Sequence, residues 1–350
     1  MLSYRFCLSA RQNPNHLRTS TVVTNAVGES RTLTLVLSTT VVVSFCCFCT
    51  KRIHGQGELE KVLSQRFNRL VRVVAAGRTD GGVHARCHAI HFDLFSKELK
   101  EKKKKSGGGD DSNQDNDNNK NSAAIPVLER SVRKMLPDDI TFWDLREMDP
   151  ITKVIDGINN NEPVTVPYNV MYDTIGKLYV YRIAIGTDSL DPILRHDRWQ
   201  LPRSAVPDLD LFRQCLQRYE GDHDFRAFAS GIESLERGLA AAGRGDSLNT
   251  VRTVFRAELV EEEPGRMYRI EVHLKGALYK MVRNMVGTAL AVATHKLSMQ
   301  DFEALLRNDD DSTSDSDDQD NNLERQKNPC RPAPAFGLTL EKVYFADDSD

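Results

Sequence analysis

The sequence predicts an α+β fold, and three stretches carry that expectation. From Val251 to Lys275 two runs of strand-like alternation flank a Glu263-Pro264-Gly265 turn, the pattern of a hairpin with one wet face. Leu278, Met281, Val282, Met285, Val286 and Ala289 then recur at helical spacing, and Leu338 to Phe345 returns to a strand. Strand, strand, helix, strand is a unit that builds α+β layers.

The elements follow in order from the start of the chain. The first 57 residues hold Arg5, Arg11, Arg18, Arg31, Lys51 and Arg52 against one acid, Glu29, and are rich in Ser and Thr. That composition resembles an organellar transit peptide, so a soluble protein of mitochondrion or plastid, or of cytoplasm or nucleus, is expected. Nineteen uncharged residues run from Thr32 to Thr50, near the length of a membrane span, but seven are Ser or Thr. Three readings stand: a membrane anchor, a buried strand within Leu33 to Val43, or a segment outside the folded protein.

Leu59, Val62, Leu63 and Leu70 keep helical spacing and lead into an apolar run at 71–76, read as a strand. After a glycine-rich turn, Ile90, Phe92 and Leu94 alternate with Ala89, His91 and Asp93 as a second strand. Ile125, Leu128, Val132, Met135 and Leu136 give a second helix, ended at Pro137. Strands follow at 140–146 and 178–185, the latter with Leu178, Val180 and Arg182 on one face and Tyr179, Tyr181 and Ile183 on the other. The tracts 100–124 and 308–328 are polar, low in complexity and too poor in apolar surface to offset the entropy of ordering, so both are expected as disordered surface insertions. The division that results is an atypical N-terminus at 1–56, an N-terminal catalytic lobe at 57–162, a C-terminal lobe at 163–345 and an acidic tail at 346–350.

At 350 residues the chain has room for about two domains. Its net charge of -3 conceals a division. The tracts 106–122 and 308–322 with the tail 347–350 hold fourteen Asp and one Lys, which leaves the remainder at +10. A basic body points to an anionic partner such as nucleic acid. Seven cysteines, with no repeated C-x-x-C pair, fit a reducing compartment and no zinc site. His84, Cys87, His88 and His91 invite a metal reading, but on a strand His88 and His91 point to opposite faces, and no metal is expected.

The segment Gly77-Arg78-Thr79-Asp80-Gly81-Gly82-Val83-His84-Ala85 sets an arginine and a carboxylate two residues apart beside paired glycines, between two strands. Alone it would read as a polar turn. With His91-Phe92-Asp93 it resembles the AGRTDAGVHA signature of the TruA family of tRNA pseudouridine synthases. GELEKVL at 57–63, LPDDI at 136–140, KLYVYRI at 177–183, GDHDFRAF at 221–228, ALYKMVRNMVGT at 277–288 and the closing FGLTLEKVYF follow in that family's order, so the resemblance covers Gly57 to Phe345.

The resemblance implies the pseudouridine synthase fold, with two ferredoxin-like-related lobes forming a mostly antiparallel central sheet, helices on one side and an active-site cleft between the lobes. It implies a cofactor-free isomerase that converts uridine to pseudouridine in the anticodon stem-loop of tRNA, at tRNA positions 38 to 40, and acts as a homodimer. Breaking the C1′–N1 bond, turning the base and rejoining through C5 needs a desolvated, aimed carboxylate, and Asp80 takes that place. Arg78 and Arg283 are its candidate partners, and Arg78 is also a candidate for opening the stem. Tyr179 falls where the family places an aromatic that stacks on the flipped base, a platform worth about 1–3 kcal/mol. Alternation puts Tyr181 on the same face, so the residues alone do not choose between the two rings. Arg226 and Phe228 lie in a segment that resembles a contact to the tRNA.

Three departures stand out. No counterpart of the family's opening strand, with its Tyr-Asp-Gly and Gly-Trp-Gln, is found before Gly57. Met171 replaces an expected arginine within Tyr168-Asn169-Val170-Met171-Tyr172, and Gly81 replaces an alanine after the carboxylate. A catalytically impaired RNA-binding paralogue or tRNA chaperone of the same fold is therefore the alternative, and a membrane-tethered scaffold the third reading.

Overall fold

A computed structural model describes residues 30–39, 55–95, 98, 117–138, 140–154, 162–186, 191–243, 248–306 and 328–346. Among them the chain runs β1 (Ser30–Thr39), α1 (Gly55–Phe67), β2 (Val73–Ala75), β3 (His84–Phe95), α2 (Asp117–Arg133), β4 (Ile140–Met148), β5 (Ile151–Val154), β6 (Pro163–Val166), β7 (Thr174–Ala184), β8 (Trp199–Gln200), α3 (Leu209–Arg218), β9 (Gly221–Asp224), α4 (Ile232–Ala241), β10 (Val251–Glu263), β11 (Met267–Leu274), α5 (Met281–Ala293), α6 (Met299–Ala304) and β12 (Leu338–Phe345). This is a mixed α+β architecture around one mostly antiparallel sheet. The strand order is β4-β1-β3-β12-β7-β11-β10-β9, with β2 added to β3 and β8 to β7, while β5 and β6 form a separate hairpin.

The two halves of the sheet meet where β12 runs parallel to β3, pairing Thr339 with His84 and Leu340 with Ala85. On its other edge β12 is antiparallel to β7. Each half has its own core. In the first, Leu59, Val62 and Leu63 of α1 and Leu128 and Val132 of α2 pack on Ile90, Phe92 and Leu94 of β3 and Phe142 of β4. In the second, Phe212 and Leu216 of α3 and Met281, Val282, Met285, Val286 and Ala289 of α5 pack on Tyr181, Ile183, Ile270, Val272 and Leu274. Apolar stripes at helical period meeting apolar residues at strand period produce both layers.

The opposite face of the second half is charged, as a one-sided antiparallel sheet allows. Arg182 and Arg198, both buried, converge on Glu262, with Arg198 Nη2 2.6 Å from Glu262 Oε2. Arg269 pairs with Glu271 at 2.6 Å on the same face.

Several expectations need correction. Leu70 is 66% exposed and lies beyond α1. The helix stops because Asn68 takes the left-handed conformation, φ 50, and Arg69 N–H then donates back to Ser64 O at 3.2 Å, the closing bond of a Schellman cap. A strand does stand before Gly57: β1 pairs with β3 on one edge and β4 on the other, which takes up the strand reading of the uncharged stretch as far as Thr39. Residues 40–50 of that stretch lie outside the described residues, among which no helix is long and apolar enough to cross a membrane. The first acidic tract was expected to extend to 124, but α2 begins at Asp117. Residues 100–116 of that tract and 308–327 of the second lie outside the described residues, while Asn328 at the end of the second is described.

Candidate active site

The Arg78 to Gly82 loop hangs between β2 and β3 at the seam of the two halves. Ala76 N–H donates to Ala89 O at 2.9 Å, closing the β2–β3 ladder, and the chain then leaves the sheet. It returns through a turn in which Val83 N–H donates to Asp80 O at 3.1 Å. Gly82 sits at φ 85 in the third position of that turn, where a side chain would be strained, so this glycine is required by geometry. Asp80 is carried on the near side of the turn.

Its partner comes from the first turn of α5, 203 residues on. Arg283 Nη1 donates to Asp80 Oδ2 at 2.8 Å, and both side chains are only 13% exposed. The guanidinium is itself fixed: its Nε donates to Ala333 O at 2.7 Å, and the backbone closes a reciprocal bond from Ala333 N–H to Arg283 O at 3.0 Å. The 331–334 segment lies hard against α5, since a Cβ on Gly287 would stand 2.3 Å from Arg331 O. Asn328 Nδ2 donates to Thr288 Oγ1 on the same helix at 2.8 Å. Arg78, the other candidate partner, is exposed and makes no ion pair among the described residues. Asp80 is held by Arg283.

One face of β7 organises the rest. Lys177, Tyr179 and Tyr181 follow each other at period two, opposite Leu274, Val272 and Ile270 of β11. Tyr181 is fully buried and its hydroxyl donates to Pro334 O at 2.9 Å, bracing the segment that holds Arg283. Burial pushes its phenol far above the ordinary range. Tyr179 faces Asp80: burial, and then the Asp80 charge, push its phenol up to about 12, so it stays neutral at physiological pH. Its hydroxyl has no hydrogen-bond partner among the described residues. The two rings thus differ in surroundings: Tyr179 feels the Asp80 charge, and the Tyr181 hydroxyl is bonded to Pro334 O.

Arg226 and Phe228 lie apart from this cluster. Phe228 has no exposed surface and its ring packs edge-on against Tyr219, with centroids 5.3 Å apart, so it has no face to offer a substrate. Its carbonyl instead accepts from Asn284 Nδ2 at 2.6 Å, one residue from Arg283. Arg226 is clamped bidentately on Glu236, both bonds 2.6 Å, which raises its pKa and commits its fork to the protein. In the described structure both side chains are engaged within the protein.

The sequence reading weighed His88 only as a metal ligand and gave no role to Lys177 or Ala333. Period two from Tyr179 would have found Lys177, but Ala333 acts through its backbone and leaves no signal in its side chain.

A sequence profile described as tRNA pseudouridine synthase matches residues 215–346, the part that carries Arg283, Ala333 and β12. The "tRNA pseudouridine synthase A" of Geobacillus sp. (strain WCH70) is 28% identical over 291 residues, covering 83% of this chain and 88% of that protein. That of Geobacillus kaustophilus (strain HTA426) is 29% identical over 294 residues, covering 84% and 86%, and that of Methylacidiphilum infernorum 26% over 313 residues, covering 87% and 94%. Over most of its length the chain is similar to tRNA pseudouridine synthases of the TruA family. The similarity extends over both halves of the sheet rather than the C-terminal half alone. The TruA signature loop and the α5 segment, far apart in sequence, are the two pieces that meet in the Asp80–Arg283 pair.

Proposed function

We propose that this protein converts uridine to pseudouridine in the anticodon stem-loop of tRNA, with Asp80 as the acting carboxylate. The observation that carries this reading is the 2.8 Å Asp80–Arg283 pair, mostly withdrawn from water beside the neutral Tyr179 ring. In such a site a carboxylate works at its target without a competing hydration shell, and the guanidinium balances its charge and fixes its aim. Arg283 is in turn held by Ala333, so it cannot swing toward solvent without breaking a second bond. Tyr179 supplies a platform for a base taken out of its stack, and the exposed Arg78 stands on the same loop, free to meet the displaced strand or a phosphate. No redox step or electrophilic metal enters a C–N to C–C isomerisation, in which the base is both leaving group and returning nucleophile. The active form is proposed to be a homodimer, in which one subunit holds the tRNA body while the other presents Asp80. A monomeric mass for the active protein by light scattering would remove that part.

The central test is Asp80→Asn, which keeps shape but removes the charge. Pseudouridine formation in a purified assay should vanish, while tRNA binding, spread over many cationic contacts, stays within about threefold. Normal turnover by this variant would sink the role given to Asp80. If the unaltered chain binds tRNA and forms no product, it is the impaired RNA-binding paralogue or tRNA chaperone instead.

A further inference from the structure

The backbone that enters the Asp80 loop is gripped at two consecutive carbonyls by side chains from two different strands. Lys177 on β7 donates from Nζ to Ala76 O at 2.7 Å. His88 on β3 donates from Nε2 to Gly77 O at 3.0 Å. The carbonyl partner fixes the tautomer, because an oxygen acceptor requires the ring proton on Nε2. These two carbonyls belong to the residues directly before Arg78, Thr79 and Asp80.

Neither group is where its chemistry alone would put it. Lys177 is only 8% exposed, and burial lowers its pKa. Burial also lowers the pKa of His88, and the nearby Lys177 charge lowers it further. Burying the Lys177 amine beside an imidazole costs desolvation, which the hydrogen bonds to the two carbonyls offset. The cost is compensated only by what the donors hold. Gly77 leaves room for the amine, since a Cβ there would stand 3.1 Å from Lys177 Nζ. Lys177 also shares its strand face with Tyr179 and Tyr181, so one face of β7 touches the loop entry, the carboxylate's surroundings and the segment that holds Arg283.

We propose that Lys177 and His88 are positioning residues for the reaction. They form a two-point clamp that fixes the backbone entering the loop and so holds Asp80 within reach of Arg283 and of the substrate. The clamp rests on the function proposed above, but it makes a separate demand: the loop must be rigid in the free protein. A carboxylate displaced by about 1 Å loses on the order of a hundredfold in rate although every reacting group remains.

Lys177→Met fills the same space without a donor, His88→Ala removes the second grip, and His88→Gln restores an amide N–H at comparable reach. Each is compared with the unaltered protein for pseudouridine formation on tRNA and for hydrogen exchange of the Val83 amide, which reports the Asp80 turn. K177M and H88A should lower kcat by about tenfold to a hundredfold with KM for tRNA nearly unchanged, and should speed Val83 exchange. H88Q should recover most of what H88A loses. A general packing defect would move KM and the melting temperature together and would not be rescued by H88Q, and that pattern overturns the proposal, as do unchanged kcat and unchanged exchange in both variants. Should K177M fail to fold, the H88A and H88Q pair decides. Absence of product from the unaltered protein would refute the proposed function, and the exchange rates would then decide the clamp by themselves.

Discussion

Tyr179 and Tyr181 stand two residues apart on one strand face, yet their hydroxyls have opposite status. That of Tyr181 satisfies the Pro334 carbonyl at 2.9 Å, whereas that of Tyr179 is bonded to nothing described. Removing a hydroxyl from a buried carbonyl leaves the carbonyl unpaired, which costs about 1–3 kcal/mol. Tyr181→Phe should therefore destabilise the protein by roughly that amount in urea denaturation, while Tyr179→Phe should change stability by less than about 0.5 kcal/mol. Equal losses in the two variants would contradict the separation of platform from scaffold. The candidate site was partly legible in the sequence. Asp80 and Tyr179 stand in motifs whose resemblance named them, but Arg78 looked as good a partner for Asp80 as Arg283 did, because nearness in sequence is visible and a contact across 203 residues is not. The pairing of Arg226 with Glu236 and the burial of Phe228 were hidden for the same reason: both depend on what packs above them.

At the scale of elements, local patterns carried far. The alternation of β11 and the apolar stripe of α5 are both present where the periodicity put them: β11 alternates buried with half-buried residues, and the α5 stripe lies in a helix that is buried along most of its length. Boundaries were read less well. Asn68 ends α1 through a left-handed cap that the apolar spacing to Leu70 overran, although asparagine is a known stop signal. The strand over Ser30–Thr39 resembled three different things while read alone, and only pairing on both its edges distinguishes them. The helix most exposed to a test is α5. Ala is a better helix former than Gly by about 1 kcal/mol, so Gly287→Ala would stabilise an isolated helix. Here the added methyl meets the Arg331 carbonyl at 2.3 Å and must push the 331–334 segment away. The expected outcome is a net loss of about 1–3 kcal/mol by thermal unfolding, together with lower pseudouridine formation as Ala333 releases Arg283. A stabilised variant with full activity would show that the segment gives way freely.

For the whole molecule, the sheet has a helix-covered face that holds the site and a charged face where Arg182, Arg198 and Glu262 neutralise one another. Each half that it joins brings one member of the pair, Asp80 from the first and Arg283 from the second. What joins them is β12. Among the described residues it stands between β3 and β7 in the strand order, so the strands of the first half reach those of the second through Leu338–Phe345, the last described strand in sequence. A chain emerging from the ribosome can complete the first core and much of the second and still lack the connector. Until that connector is made, the loop that bears Asp80 has no fixed neighbour from α5. The contact between Asp80 and Arg283 consequently waits on β12, which must slide between two partners made earlier in the chain.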